Sequence, residues 1–416
     1  MTKLEQLIKE LCPEGVEYCE LGEICSLVTG ATPSKVKNDY WENGTIPWMS
    51  SGEVNNKIIY DTEQKITQLG YNSASTTIVP VHSIVIALAG QGKTRGKVAI
   101  TEIELCTNQS LCSMICGERI FYKFLYYYLD SKYLELREIS NGDGARGGLS
   151  LKILSPYKVP VPPIEVQYEI VRILDNFTEV TVELTEKLTA ELTARKQQYE
   201  YYKNNIFSSC LCEKVILGDV LQSIHTGLNP RKFFQLNTDD ANNYYVTIRE
   251  FKGGKLRFTD KTDKINDDAL KLCNNRSNLE IGDVLFSGTG TIGEVFVIEE
   301  EPSNWNIKEG VYSLKPKKSR VLAKYLKHYL SSKEMMDKYE TLAEGGTVKS
   351  ISMKKMEAME ILLPSIAEQE RIVTILDRFD GLCNDITTGL PAEIEARQKQ
   401  YEYYRDKLLT FKNVEG

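Results

Sequence analysis

A chain of 416 residues with 42% hydrophobic and 26% charged side chains can bury two or three cores of ordinary size, which excludes disorder as its default state. A net charge of −7 excludes a generic polyanion binder, so a nucleic-acid reading has to survive a local count. With no run near the roughly 18 apolar residues of a membrane span, a cytoplasmic protein without a membrane partner is expected.

The local count leaves room for DNA. Residues 17–160 hold 14 basic against 15 acidic side chains and residues 211–360 hold 23 against 22, while the acid surplus lies in 161–210 (5 against 8) and 361–416 (7 against 10). Near-neutral segments permit DNA contact but predict weak binding by the chain alone, because phosphate neutralisation supplies much of the affinity.

In chain order, MTKLEQLIKEL is a charged amphipathic segment, expected as a short helix through Leu4, Leu7, Ile8 and Leu11. CELGEICSLVTGATP at 19–33 and PWMSSGEV at 47–54 follow, then the strand-rich SIVIALAGQGKTRGKVAI at 83–100 and the helical YKFLYYYLDSK at 122–132. Ala87 to Thr94 satisfies a relaxed P-loop pattern, but a P-loop opens a helix, and Val98-Ala99-Ile100 reads as a strand. A glycine-rich turn of a hairpin is expected there instead.

From residue 162 the pattern becomes helical. Ile170, Leu174, Phe177, Thr181, Leu184 and Leu188 step by four and three, then an extra step of four reaches Leu192, a stutter in a coiled-coil seam. The whole sequence of parts then runs a second time. PPIEVQYEIVRILDNF at 162–177 matches PSIAEQERIVTILDRF at 364–379, and ARKQQYEYYK at 194–203 matches ARQKQYEYYR at 396–405, both at an offset of 202. No residue is gained or lost across more than forty positions. The globular parts match more loosely: VILGDVLQSIHTGLNP at 215–230, YYVTIREF at 244–251, DVLFSGTGTIGEVFVI at 283–298 and AKYLKHYLSSK at 323–333. Tight helices between divergent domains are what a fixed spacer carrying two different readers requires. In the second helical unit Gly389 and Pro391 are expected to kink or restart the helix.

Gly288-Thr289-Gly290-Thr291-Ile292-Gly293 mimics a dinucleotide fingerprint, yet Val295 to Ile298 continues as a strand where a helix is required. The Asn/Asp/Ser-Pro-Pro-aromatic tetrapeptide of amino-methyltransferases is absent, and His82, His225 and His328 stand in no metal-binding pattern. The ten cysteines contain no CxxC pair and read as reduced thiols. No catalytic residue, metal site or cofactor is expected.

From LGEI and TGATP through TRGKVAI, VPPIEVQYEIVRILD and ARKQQYEYY to the second round ending ARQKQYEYYRDKLLTF, the chain resembles the specificity subunits of type I restriction-modification systems. The resemblance implies an α+β protein with a pseudo-two-fold internal repeat. Two target recognition domains with twisted β-sheets, residues 17–160 and 213–361, are separated by two long antiparallel coiled-coil helices, 161–212 and 362–416, after an opening helix over 1–16. It implies double-stranded DNA as a partner, read as a split target. Two docked modification subunits would methylate adenine, and restriction (nuclease/translocase) subunits could join them. By the same resemblance the major-groove contacts are expected at Ser50 and Ser51, at Lys93, Thr94 and Arg95, at Arg146, at Thr247 and Arg249, at Thr291 and at Lys349. Arg and Lys suit guanine edges or phosphates, and Ser and Thr are less selective. Glu294 stands where the first half has Lys97, and Arg249 where it has Gly52, so different bases are expected for the two halves. A helical dimerisation scaffold without DNA reading would share the stripe and the repeat, and a nucleotide-using enzyme would need the Gly92-Lys93-Thr94 loop.

Overall fold

The computed structural model describes residues 2–90, 94–140, 148–208, 212–230, 233–252, 255–346, 348–384 and 389–414. The chain divides into two units, Met1–Thr185 with Ala396–Gly416, and Glu186–Glu395.

In the first unit Thr2 caps the helix Lys3–Leu11, whose Leu4 packs into a core with Val166, Ile170 and Leu409. Strand Glu17–Glu20 pairs antiparallel with Lys158–Val161, tying the start of the globular part to its end. Between them lies a five-stranded sheet in the order Cys25–Thr29, Leu111–Cys116, Ile84–Ala87, Val98–Thr101, Ile58–Ile59. A second sheet has the order Gln64–Ile66, Ile46–Met49, Cys106–Thr107. The apolar run Ile84–Ala87 is buried on both faces: Ile84 and Ile86 meet the helix Tyr122–Ser131, and Val85 and Ala87 meet Met49 and Leu105. Ile84–Ala87 and Val98–Thr101 form the expected hairpin, with Gly96 at φ +81° where other residues would be strained. Gln91, Gly92 and Lys93 lie outside the described residues.

The second unit repeats this plan. Its larger sheet runs Leu221–Thr226, Val311–Pro316, Val284–Ser287, Val295–Val297, and its smaller one Lys264–Ile265, Asn243–Val246, Trp305–Ile307. Glu213–Ile216 pairs with Glu360–Leu363 as the first unit's closing strands do. The glycine-rich Ser287–Gly293 tract turns between paired strands, as expected of a repeated hairpin. Gly30 and Gly227 are required for another reason. A Cβ there would stand 1.7 Å from the Thr107 carbonyl oxygen and 2.0 Å from that of Ile307, so both Thr-Gly pairs mark a close backbone approach.

The helix Ile164–Ser208 is continuous over 45 residues. Buried Ile170 and Leu174, half-buried Thr181, Leu184, Leu188 and Leu192, and buried Tyr199 continue one stripe through the stutter. In the second copy the described helices are Ile366–Asn384 and Leu390–Leu408, with Gly389 at a bend just before the latter. Its helix resumes at Leu390 with Pro391 in the first turn, where a missing N–H is tolerated. Ile386, the counterpart of the seam residue Leu184 at the offset of 202, lies outside the described residues. Within each unit the packed helices are antiparallel. In the first, Phe177 stacks on Tyr404 at 6.0 Å and Thr178 hydrogen-bonds Tyr401 at 3.0 Å. In the second, Tyr199 and Tyr202 lie against Phe379, and Arg195 and Lys196 are beside Cys383.

Each rod is fastened to its globular part by a buried glutamine. Gln167 Oε1 accepts from Phe121 N at 2.7 Å, while its Nε2 donates to the carbonyls of Arg119 (2.9 Å) and Pro162 (2.7 Å). Gln369, 202 positions on, repeats this with Leu322 N, Arg320 O and Pro364 O, each at 2.9 Å. Nearby, Asp175 accepts from Lys123 and Tyr127, and Asp377 from Lys324 and His328. Burial pushes the His328 imidazole below its ordinary range against the pull of Asp377. Gln167→Leu or Gln369→Leu would leave three backbone groups without this partner, the Pro162 or Pro364 carbonyl among them in a buried bond, at about 1–3 kcal/mol for each group cut off from water. Each variant is therefore expected to lose about 3–5 kcal/mol in denaturant titration. A loss below about 1 kcal/mol in both would show that the glutamines fasten nothing.

One expectation is corrected. Among the described residues eight cysteines are free thiols, but Cys212 is disulfide-bonded. Cysteine spacing alone gave no sign of this, because no CxxC or framework pattern surrounds it.

Candidate nucleic-acid interface

The central strands of the two smaller sheets, Ile46–Met49 and Asn243–Val246, correspond residue for residue at an offset of 197. Trp48 donates its indole N–H to the Ala31 carbonyl at 3.0 Å, and Tyr245 donates its hydroxyl to the Leu228 carbonyl. Both hold the loop that follows the first long strand of the larger sheet.

Beside this anchor lies the turn that carries the expected contacts Ser50 and Ser51. Buried Glu53 shapes it, with one carboxylate oxygen accepting from Ser50 N (2.6 Å) and the other from Glu63 N (2.9 Å). Ser50 and Ser51 are half-buried. In the second unit Glu250 accepts from Thr247 N (2.8 Å) and Thr247 Oγ1 (2.7 Å), so Thr247 is buried and serves as a cap. Arg249 projects from this turn with a 63% exposed side chain, 3.3 Å from Asp263 and 3.3 Å from Thr247 Oγ1. Glu53 and Glu250 were missed from sequence, although the Ser50/Glu53 and Thr247/Glu250 spacing of three is the pattern of a reciprocal cap.

At the hairpins, Thr94 is buried and its hydroxyl donates to the Ala89 carbonyl at 3.4 Å, while Arg95 is half-buried with Nη1 3.3 Å from Ser140 Oγ. Lys97 reaches Asn55 Oδ1 at 2.7 Å, joining this hairpin to the Ser50–Asn56 region. In the second unit Thr291 and Lys349 are exposed and brought together. Gly290 N donates to the Lys349 carbonyl at 2.9 Å, and Ile351 N to that of Gly288 at 2.9 Å. In the first unit Leu149 N donates to the Leu88 carbonyl at 2.9 Å, the matching connection. Lys93 and Arg146 lie outside the described residues.

The rods carry a second duplicated surface. Tyr201 and Tyr403 are 65% and 63% exposed. Each meets its neighbour edge-on, Tyr202 at 5.8 Å and Tyr404 at 5.3 Å. Those tyrosines stack in turn on Phe379 (5.7 Å) and Phe177 (6.0 Å). Among the described residues no group of three or more His, Cys, Asp or Glu could hold a metal ion, and no helix is long and apolar enough to cross a membrane.

Comparison with known proteins bears on this arrangement. The family model described as the type I restriction modification DNA specificity domain matches twice, over residues 13–194 and 212–396. The specificity subunit of the type I restriction enzyme EcoR124I/EcoR124II of Escherichia coli is 29% identical over 427 residues, covering 100% of this chain and 99% of that protein. A putative type I restriction enzyme specificity subunit of Haemophilus influenzae is 29% identical over 433 residues, covering 99% and 98%. Among solved structures, a chain from a study of complex assembly and conformational transition in a type I R-M system superposes with a TM-score of 0.68 at 16% identity, covering 96% and 98%. The HsdS subunit of Thermoanaerobacter tengcongensis gives 0.55 at 17% identity over 96% and 97%.

Proposed function

This chain belongs to the type I restriction-modification DNA specificity family, and from that premise we propose that its two units each read one half of a split double-stranded DNA target. It is a non-catalytic specificity subunit that recognises DNA sequence. In this reading residues 17–160 and 213–361 are the recognition domains, 1–16 the opening helix, and 161–212 and 362–416 the spacers that fix the gap. The observation that carries it is one scaffold built twice with different chemistry at matching turns: Ser50 against Thr247, Gly52 against Arg249, Lys97 against Glu294.

Ser50, Ser51, Arg95, Arg249, Thr291 and Lys349 would meet base edges or phosphates, with buried Thr94 and Thr247 shaping the turns beneath them. Lys93 and Arg146 would join them from segments outside the described residues. The duplicated Tyr201 and Tyr403 clusters supply two like aromatic anchors, suited to a partner that docks twice. That partner would be a modification subunit, which brings the methyl donor site and methylates adenine, with restriction subunits joining the assembly and the whole acting in the cytoplasm.

Mapping methylated adenines across a genome with and without this gene tests the proposal. The expected result is loss of one motif made of two short half-sites around a fixed unread gap. A continuous motif, or a methylome indifferent to the gene, would refute it.

A further inference from the structure

In the smaller sheets of the two units, one ladder position holds a lysine twice. Lys65 is opposite Pro47 in the first unit and Lys264 is opposite Tyr244 in the second, and Pro47 and Tyr244 correspond at the offset of 197. Each lysine stands beside an aromatic surface of a different kind. In the first unit Lys65, Lys35, Trp41, Glu63 and Gln64 wall an open cleft of about 410 Å³. In the second, Lys264 Nζ lies 5.6 Å from the centre of the Tyr244 ring, and that ring stacks on Phe258 at 4.0 Å and 2°.

Both sites are held ready. The Trp41 indole N–H donates to the Ser34 carbonyl at 3.1 Å, and its ring meets Trp48 edge-on at 5.0 Å, so the loop bearing Lys35 is fixed from beneath. The cleft wall is continuous with the Ser50 turn, because Glu63 N and Ser50 N share the Glu53 carboxylate. Lys65 is paired with Asp61 at 3.1 Å, but both side chains are well exposed, at 40% and 66%, and such a pair exchanges readily for another anion.

We infer that Lys65 and Lys264 each hold a phosphodiester of the bound duplex, with the attached deoxyribose against Trp41 in the first unit and against the Tyr244–Phe258 stack in the second. A cation beside an apolar ring face fits a sugar-phosphate unit, and contacts of this kind set position and register without selecting bases. The inference rests on the reading of each unit as a DNA reader. It separates two jobs within a unit: the turns at Ser50 and Thr247 select sequence, and the lysine-aromatic sites clamp the backbone.

The test uses the full chain assembled with its modification subunit and duplexes that carry the mapped motif or a scrambled one. Affinity is measured between about 50 and 200 mM salt. Lys65→Ala and Lys264→Ala are each expected to weaken binding to both duplexes by the same factor and to lower the salt slope by about one, so that each variant loses about threefold less affinity across that range. The methylated motif should stay as it was, and Lys65→Arg should keep the slope. Trp48 and Trp305 are buried, at 2% and 7% exposure, so the part of the tryptophan emission change on adding duplex that this chain contributes should be lost in Trp41→Phe. An unchanged salt slope would overturn the inference. So would an altered base preference inside a half-site, which would make the lysines base readers. A wild-type assembly that bound neither duplex would overturn the two-reader function itself, and this inference with it.

Discussion

Exchanging residues 17–160 for the matching segment of a relative is expected to rewrite one half of the methylated sequence completely and to leave the other half untouched. The physical basis is that each unit completes its own sheets and cores. Ile84, Ile86, Phe124 and Leu125 share a core with Ile170 and Leu174, whereas Val284, Phe286, Tyr325 and Leu326 share one with Ile372 and Leu376. The exchange cuts the chain where Glu17–Glu20 and Lys158–Val161 close the globular part, so no ladder is left open. The fastening to the rod also survives, since Gln167 binds backbone groups at Arg119 and Phe121, which any incoming domain of the same fold presents, and at Pro162, which the exchange leaves in place. The readout is the methylated motif, sequenced from cells that express the hybrid with its modification subunit. A hybrid that changed both half-sites, or one half-site in only a single base, would contradict independent readers.

How much of this was legible beforehand depended on the type of signal. The rods were legible because a repeat at constant offset leaves a helix no freedom in register, and because Gly389 and Pro391 announce a restart that the structure places at Leu390. The hairpins were legible because strand patterns followed both glycine tracts, where a phosphate loop would have needed a helix. The individual site residues were less so. Thr94 and Thr247 have the same chemistry whether they face DNA or cap a turn, and only the fold shows them buried. Gln167 and Gln369 sat in the aligned stretches, yet nothing in their sequence distinguishes a buried fastener from a solvated polar residue. The lysine pair Lys65 and Lys264 depends on ladder register, which the sequence left open because the surrounding loops differ in length.

The length of the unread gap should follow the length of the rods. Each unit holds a stretch of both: the first contains the start of Ile164–Ser208 and most of Leu390–Leu408, and the second contains the rest of the long helix and Ile366–Asn384. An insertion in one rod alone would therefore set it out of register with its antiparallel neighbour, where Phe177 stacks on Tyr404 and Tyr202 on Phe379. Four residues inserted near Leu188 and four more near Leu390, its counterpart at the offset of 202, keep the two in step. Four residues lengthen a helix by about 6 Å, nearly two base-pair steps of about 3.4 Å. They rotate it by about 40° beyond a full turn, a small enough error for the seam to repack. The double insertion is therefore expected to widen the unread gap by one or two base pairs with both half-sites intact, and the single insertion to abolish most methylation. If the double insertion instead altered bases within a half-site, or left the gap as it was, the rods would not be the ruler.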